Sequence, residues 1–208
     1  MIIDVWSDVV CPWCFIGKTR LDKAIAALDP SINVEVRHRA FQLQPDIQGV
    51  TPTKKLLAAK YGVDEAKVDA MQANVCSIAG GEGLCYDLAG TLSGNTADAH
   101  RLLLWSATVG KQAELQQAMY SAYFEKNQAL FTRDDLVAVA GSVGIDASEV
   151  NLVLDSNEFV NQVREDQEMA HSLGANGVPF FVIDMKIGIS GAQPPEVFNR
   201  ALQQALSS

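Results

Sequence analysis

Basic residues are scarce in this sequence. Sixteen Lys and Arg stand against 25 Asp and Glu, a formal charge of -9 with His neutral. A surface of that sign repels phosphate backbones and anionic bilayers, so neither nucleic acid nor membrane is expected as a partner. Long apolar runs are missing: nothing approaches the ~18 consecutive apolar residues of a membrane-spanning helix. The N-terminus has no basic n-region, apolar h-region or small-residue cleavage site, and enters a β-branched run at once. This sets the expectation of a cytoplasmic protein, in which thiols cycle instead of staying oxidised. Histidine (3) and cysteine (4) are few, and no internal repeat, low-complexity tract or long linker breaks the chain. The 48% hydrophobic and 20% charged content is that of an ordinary globular protein, and 208 residues suffice for one domain with a sizeable insertion.

What is present is concentrated at Cys11-Pro12-Trp13-Cys14. The preceding Ile2-Ile3-Asp4-Val5-Trp6 is short, β-branched and bounded by Ser7-Asp8, the pattern of a buried strand. Beyond the motif, Leu21, Ile25 and Leu28 mark one face of a helix, and counting back seven from Leu21 reaches Cys14. Cys14 is therefore expected to face the core, and Cys11 to stand exposed at the helix N-terminus, where free backbone N–H groups favour a thiolate. Pro12 suits the first helical turn, since its missing N–H would be unpaired there anyway. A reachable sulfur with a shielded one beside it is the arrangement thiol–disulfide exchange requires. Zinc is the competing use of C-x-x-C, but it needs about two further ligands. Cys76 and Cys85 lie in a different kind of segment, and His38, His100 and His171 are scattered singly, so no metal site is expected.

Taken in order, residues 32–39 alternate as a strand with Ile32, Val34 and Val36 on one face, making residues 2–39 a parallel β-α-β unit. His38 falls on that face and reads as a partly buried, satisfied histidine or as a proton shuttle. Asp4 and Asp8, near Cys11, could oppose its ionisation, relay a proton or simply end the strand. Helical periodicity then runs over 53–61, 65–79, 96–109, 112–126, 133–143, 147–155 and 157–173, with capping pairs at Thr132/Asp135 and Asp146/Glu149. Gly62, Gly110 and Gly174 mark helix ends. Glycines between Cys76 and Cys85 would let the chain turn back, so these two are either a second redox pair or, by default, small buried thiols. Residues 180–183 and 186–190 form a hairpin, and Pro195-Glu196 opens a last helix. Pro179, at the first residue of a strand, suits a turn or edge and tolerates a cis bond. The expected fold is α/β: a discontinuous unit of residues 1–45 and 174–208 with an all-helical insertion over 46–173.

This order, with C-x-x-C after the first strand and X-Pro before the third, resembles the thioredoxin layout and, within it, the DsbA superfamily and its FrnE-like cytosolic branch. The resemblance spans nearly the full length and rests on Ser7-Asp8-Val9-Val10 with the C-P-W-C motif and Ile16-Gly17-Lys18, then Phe41-Gln42-Leu43 and Pro45. Further on it rests on Asn95-Thr96, Ala99-His100-Arg101-Leu102, Ala122-Tyr123-Phe124, Gly177-Val178-Pro179-Phe180-Phe181 and Ser190-Gly191-Ala192-Gln193-Pro194. It implies a thiol–disulfide oxidoreductase in which Cys11 forms a mixed disulfide that Cys14 resolves, supported by Pro12 and Trp13. It implies that Pro179 is cis and faces Cys11, with the Val178 backbone pairing to an extended substrate. Asn95 and His100 become candidates for lining a substrate pocket, with an N-cap and a helix-packing histidine as their plainer roles. Trp13 replaces the histidine of strongly oxidising periplasmic relatives, so the potential is expected between roughly -270 and -120 mV.

The partners implied are a thiol- or disulfide-bearing protein or small molecule and a redox partner that resets Cys11 and Cys14. No bound cofactor is expected, and glutathione is a candidate co-substrate at Val178-Pro179. Two alternatives stand beside this reading. Kappa-class glutathione transferases and 2-hydroxychromene-2-carboxylate isomerases share the scaffold but use a serine at the Cys11 position, so an intact C-x-x-C argues against them. A redox-regulated chaperone would use the cysteines as a switch.

Overall fold

A computed structural model of the protein describes residues 1–207. Strand β1 (Ile2–Ser7) sits inside a four-stranded sheet of order β2-β1-β5-β6. It pairs parallel with β2 (Glu35–Ala40) and antiparallel with β5 (Phe180–Ile183), which in turn pairs antiparallel with β6 (Ile187–Ser190). A strand flanked on both sides and covered on both faces needs a nearly continuous apolar run. The polar exception in β1, Asp4, is answered by Arg39 Nε at 2.7 Å on the neighbouring strand. Strand β2 starts three residues later than its alternation suggests, and Val36 is 44% exposed. It is an edge strand, and only His38 and Ala40, toward its C-terminal end, are buried.

Helix α1 (Pro12–Ala26) and the final helix α9 (Pro195–Leu206) cover one face, packing Leu21, Phe198 and Leu202 on Phe181. Rings of Phe181 and Phe198 meet edge to face at 4.9 Å. Helix α8 (Val160–Ser172) covers the other face beside Trp6, Phe41 and Phe180. Trp6 Nε1 donates to the Asp166 carbonyl at 2.7 Å, and the Asp166 carboxylate accepts the Ala40 N–H at 2.9 Å. This helix lies within the stretch 46–173 read as insertion, yet it packs on strands β1 and β2 as well as on Leu104 of the helix over 97–108. Periodicity locates a helix without saying what it packs against. In the β5–β6 hairpin Asp184 and Met185 both take positive φ, the primed turn that matches strand twist.

The remaining helices follow their sequence signals closely: α2 (Thr53–Tyr61), α3 (Glu65–Gly81), α4 (Ala97–Thr108), α5 (Gln112–Tyr120), α6 (Arg133–Gly141) and α7 (Ala147–Asp155). Thr132 and Asp135 form a capping box, Glu149 accepts from the Asp146 N–H at 3.4 Å, and Gly62 closes α2 in the left-handed conformation. Three features depart from the pattern. Helix α3 runs through Gly80 and Gly81, where a turn was expected. Thr51–Pro52 (β3) pairs with Leu92–Ser93 (β4) in what reads as loop. The run 112–126 changes winding at Ser121–Glu125, a π-helical turn in which Lys126 N–H reaches the Ser121 carbonyl at 3.1 Å. The wider turn sets Tyr123 and Phe124 side by side against the C-x-x-C motif's surroundings, consistent with the use of such turns at functional sites. Among the described residues no helix is long and apolar enough to cross a membrane.

Candidate active site

Cys11 is the N-cap of α1, in extended conformation, and Pro12 is the first helical residue. The strand-to-helix junction is held from both sides: Cys11 N–H donates to the Asp8 carbonyl at 3.1 Å and Cys14 N–H to the Cys11 carbonyl at 2.9 Å. Both sulfurs are free thiols. Cys11 Sγ donates to the Val178 carbonyl at 3.6 Å, and the Val178–Pro179 peptide is cis. Gly17, one turn on in α1, lets this arrangement close. A Cβ there would lie 2.9 Å from Pro179 Cγ and 3.1 Å from the Phe181 ring. The expectation of an exposed Cys11 is corrected: the residue is 3% accessible, against 1% for Cys14. The N-terminal turn of α1 is overlaid by Tyr86, whose hydroxyl donates to the Pro12 carbonyl at 2.7 Å. Trp13, 36% exposed, is the part of the motif that faces solvent.

Beneath the sulfurs lies a filled core. Phe15 stacks on Tyr120 at 5.0 Å, and Leu102, Leu103, Leu115 and Met119 close round them without exposure. Burial pushes the Cys14 thiol well up, with the Cys11 sulfur and the Asp8 carboxylate adding to it. Burial likewise raises the phenol of Tyr120.

A buried polar chain runs alongside. Gln116 Nε2 donates to His38 Nδ1 at 2.8 Å, and Ser7 Oγ is 3.1 Å from the same nitrogen. An amide N–H can only donate, so the proton of neutral His38 is on Nε2, which reaches His100 Nδ1 at 3.4 Å. The two rings stack within 5° of parallel. Burial, and then the charges of His100 and Arg39, hold the His38 pKa well below the usual histidine value. His100 Nε2 in turn faces Asp8 Oδ1 at 3.4 Å without the alignment of a hydrogen bond, while Asp8 Oδ2 accepts the Leu43 N–H at 2.8 Å.

On the opposite side of Cys11 is a cavity of about 310 Å³. Cys11, Pro12, Trp13 and Val178 form one wall, and Leu57 of α2 with Met71 and Val75 of α3 another. Tyr123 and Phe124 lie at its back. Burial pushes the Tyr123 phenol up to about 12, so it stays a donor, and it is spent on the Leu92 carbonyl at 2.5 Å.

Sequence reasoning placed Cys11, Cys14, Pro12, Trp13, Val178 and Pro179 in one region, and the fold brings them together. Asn95 and His100 do not line the cavity. Asn95 accepts from Ala97 N–H and Gln42 Nε2 and donates to the Pro45 carbonyl, tying the 42–45 loop to the start of α4. His100 is wholly buried in the polar chain. Asp4 belongs to Arg39 and not to the sulfurs. The default of two buried thiols at 76 and 85 is corrected: Cys76 is partly covered on α3 and Cys85 is exposed in the following loop. Ser7, Tyr86, Gln116 and Tyr120, together with the cavity wall on α2 and α3, were missed. Their side chains match ordinary strand, helix and loop composition, and only their convergence in space sets them apart.

The DSBA-like thioredoxin domain matches this chain over residues 2–203. A crystal structure of a probable DsbA oxidoreductase from Streptomyces coelicolor superposes with a TM-score of 0.95 at 41% identity, covering 100% of this chain and 91% of that one. The cytosolic disulfide reductase DsbM from Pseudomonas aeruginosa, solved with GSH, shares the fold at a TM-score of 0.67 and 15% identity, covering 100% of both chains. A 2-hydroxychromene-2-carboxylate isomerase shares it at 0.70 and 17%, covering 99% of this chain and 96% of that one.

Proposed function

This chain belongs to the DSBA-like thioredoxin domain family, and from that premise we propose that it is a cytoplasmic thiol–disulfide oxidoreductase working through Cys11 and Cys14. The observation that carries the reading is the pair itself. One sulfur caps a helix beside a cavity and the Val178 carbonyl, and the other lies directly under it in a closed core. The Cys11 thiolate attacks one sulfur of a substrate disulfide, forming a mixed disulfide and releasing the first thiolate. Cys14 then attacks Cys11 Sγ, its proton passing to the Asp8 carboxylate beside it, and the second substrate thiolate leaves. The substrate gains two electrons and the protein is left with a Cys11–Cys14 disulfide. A thiol partner, for which glutathione is the candidate co-substrate, returns the electrons.

Direction follows from charge. A low-lying thiolate stabilises the reduced form and makes an oxidant. Here Trp13 stands where a histidine would favour the Cys11 thiolate, so that stabilisation of the reduced form is lacking, which favours the reducing direction. We place the potential nearer the thioredoxin value of about -270 mV than the DsbA value of about -120 mV. The test is equilibration of Cys11 and Cys14 with glutathione buffers, read by thiol mass mapping. A value near the oxidising limit would overturn the direction, and activity surviving in Cys11→Ser would overturn the mechanism. An isomerase- or transferase-like chemistry at Cys11 alone is favoured by the closeness of the cavity to that sulfur. It requires undiminished turnover in Cys14→Ser, whereas exchange requires that variant to trap mixed disulfides.

A further inference from the structure

Helix α2 is odd for a helix inside a folded chain: none of its residues is buried. Its Leu56 and Leu57 are only half-covered, and both face the cavity beside Cys11. Apolar helix faces ordinarily fill core, and here the space of about 310 Å³ in front of them is open. That volume lies at the small end of the ~300–1,000 Å³ range of ligand pockets. The lining is mostly apolar, and several of its polar groups are already paired within the chain. Thr53 and Ser93 hydroxyls bond each other at 2.8 Å, Tyr123 is held by Leu92, and Thr91 by the Leu88 carbonyl at 3.0 Å. These groups ask nothing of a ligand.

Two charges border the space. Asp8, beside Cys11, carries a buried carboxylate whose Oδ2 accepts the Leu43 N–H and whose Oδ1 faces His100 Nε2 at 3.4 Å. Lys60, exposed on α2 at the mouth, has no carboxylate partner among the described residues and lies 5.9 Å over the Tyr61 ring. The inner end therefore disfavours an anion next to the sulfur, and the outer end attracts one. Cys11 itself is only 3% accessible, with α2 and α3 standing on the far side of the opening. A broad polypeptide surface does not reach it without moving that helix pair.

We propose that the cavity takes the apolar body of a small-molecule disulfide, aromatic or aliphatic, whose far end carries a carboxylate at Lys60. This rests on the exchange reading above and names its substrate class. The reaction is the same two-electron reduction: the reduced protein becomes the Cys11–Cys14 disulfide and the substrate two thiols.

The test is single-turnover oxidation of the reduced protein by a set of dialkyl disulfides. The set is the disulfide of 4-(mercaptomethyl)benzoic acid, its uncharged benzyl analogue, hydroxyethyl disulfide, oxidised glutathione and a disulfide-bearing unfolded peptide. The expected result is a rate constant about tenfold or more higher for the carboxylated benzyl disulfide than for hydroxyethyl disulfide or oxidised glutathione, the scale that burying an apolar ring supplies. Leu57→Trp, which fills the cavity, should bring that ratio down to near one. Lys60→Glu, on an exposed position, should slow the carboxylated disulfide severalfold and leave the uncharged analogue's rate in place. In competition, Cys14→Ser should trap the benzyl adduct on Cys11 by mass. Equal rates across the small disulfides, or a preference for the peptide that Leu57→Trp also removes, would overturn the substrate class while exchange stood. If no disulfide reacted faster than with a free thiol, the exchange reading itself would fall.

Discussion

Cys11 and Cys14 are a single helical turn apart, yet their surroundings differ in kind. Below Cys14 the chain is packed to completion: Phe15, Leu102, Leu103, Leu115, Met119 and Tyr120 are all at or below 1% exposure. Beside Cys11 the walls from α2 and α3 enclose open space and carry half-covered leucines. Helix α4 buries seven residues and α2 buries none. The difference teaches that two helices with similar apolar content can serve opposite ends. One is scaffold that fixes the Cys14 thiol, and the other walls an open space.

The comparison breaks most sharply under truncation. Leu103→Ala should cost about 2–5 kcal/mol, since a fully buried leucine leaves a cavity its neighbours cannot close. Leu57→Ala, already bordering open space, should cost less than about 1 kcal/mol; urea denaturation of both variants measures the contrast, and equal losses would abolish it. Enlargement should show the converse asymmetry at a smaller scale. Gly17→Ala drives a methyl to 2.9 Å from Pro179 and should cost about 1–3 kcal/mol. Val75→Ile, facing the cavity, should change stability by well under that amount.

Two further effects are of charge. Because the Cys14 thiol is pushed up, the step that releases product from the mixed disulfide should keep accelerating above the ordinary thiol range near pH ~8.5. Asp8→Asn, which removes the acceptor of the Cys14 proton, should slow that step below this pH range, and stopped-flow resolution of a preformed mixed disulfide reads it directly. A profile level by that pH in the parent protein would contradict the picture. The smallest effect belongs to His38. Its folded pKa lies below the unfolded value, so below pH ~6.5 the unfolded chain binds a proton that the folded one does not. Stability should be fully present above that pH and decline as pH falls toward the folded pKa. His38→Asn should flatten the slope in thermal melts taken from pH 7 to 5.

Much of this was legible beforehand, for reasons that can be assigned to particular residues. The thioredoxin order was readable because each element announces itself locally: β-branched residues in β1, Pro12 opening α1, the capping pairs at Thr132 and Asp146, and Gly62 past the end of α2. The place of α8 on the sheet was not, because the same period serves a helix packed on strands or on other helices. The exposure of Cys11 was misjudged because the groups set against its turn, the Val178 carbonyl and Tyr86, come from distant positions. His100 was noticed as a residue of interest and its setting was not, since no spacing rule links positions 8, 38 and 100.

The sequence alone determined the local chemistry of this protein: a strand feeding a helix whose first turn carries two cysteines, and a proline before the third main strand. These follow from backbone preferences that act over a few residues. Only the tertiary structure decided that Cys11 too is nearly covered, that a carboxylate and two stacked imidazoles run alongside the pair, and that a cavity opens beside Cys11. Those depend on packing and desolvation among groups far apart in the chain, and burial is a property of the fold, not of any one residue's neighbours in sequence.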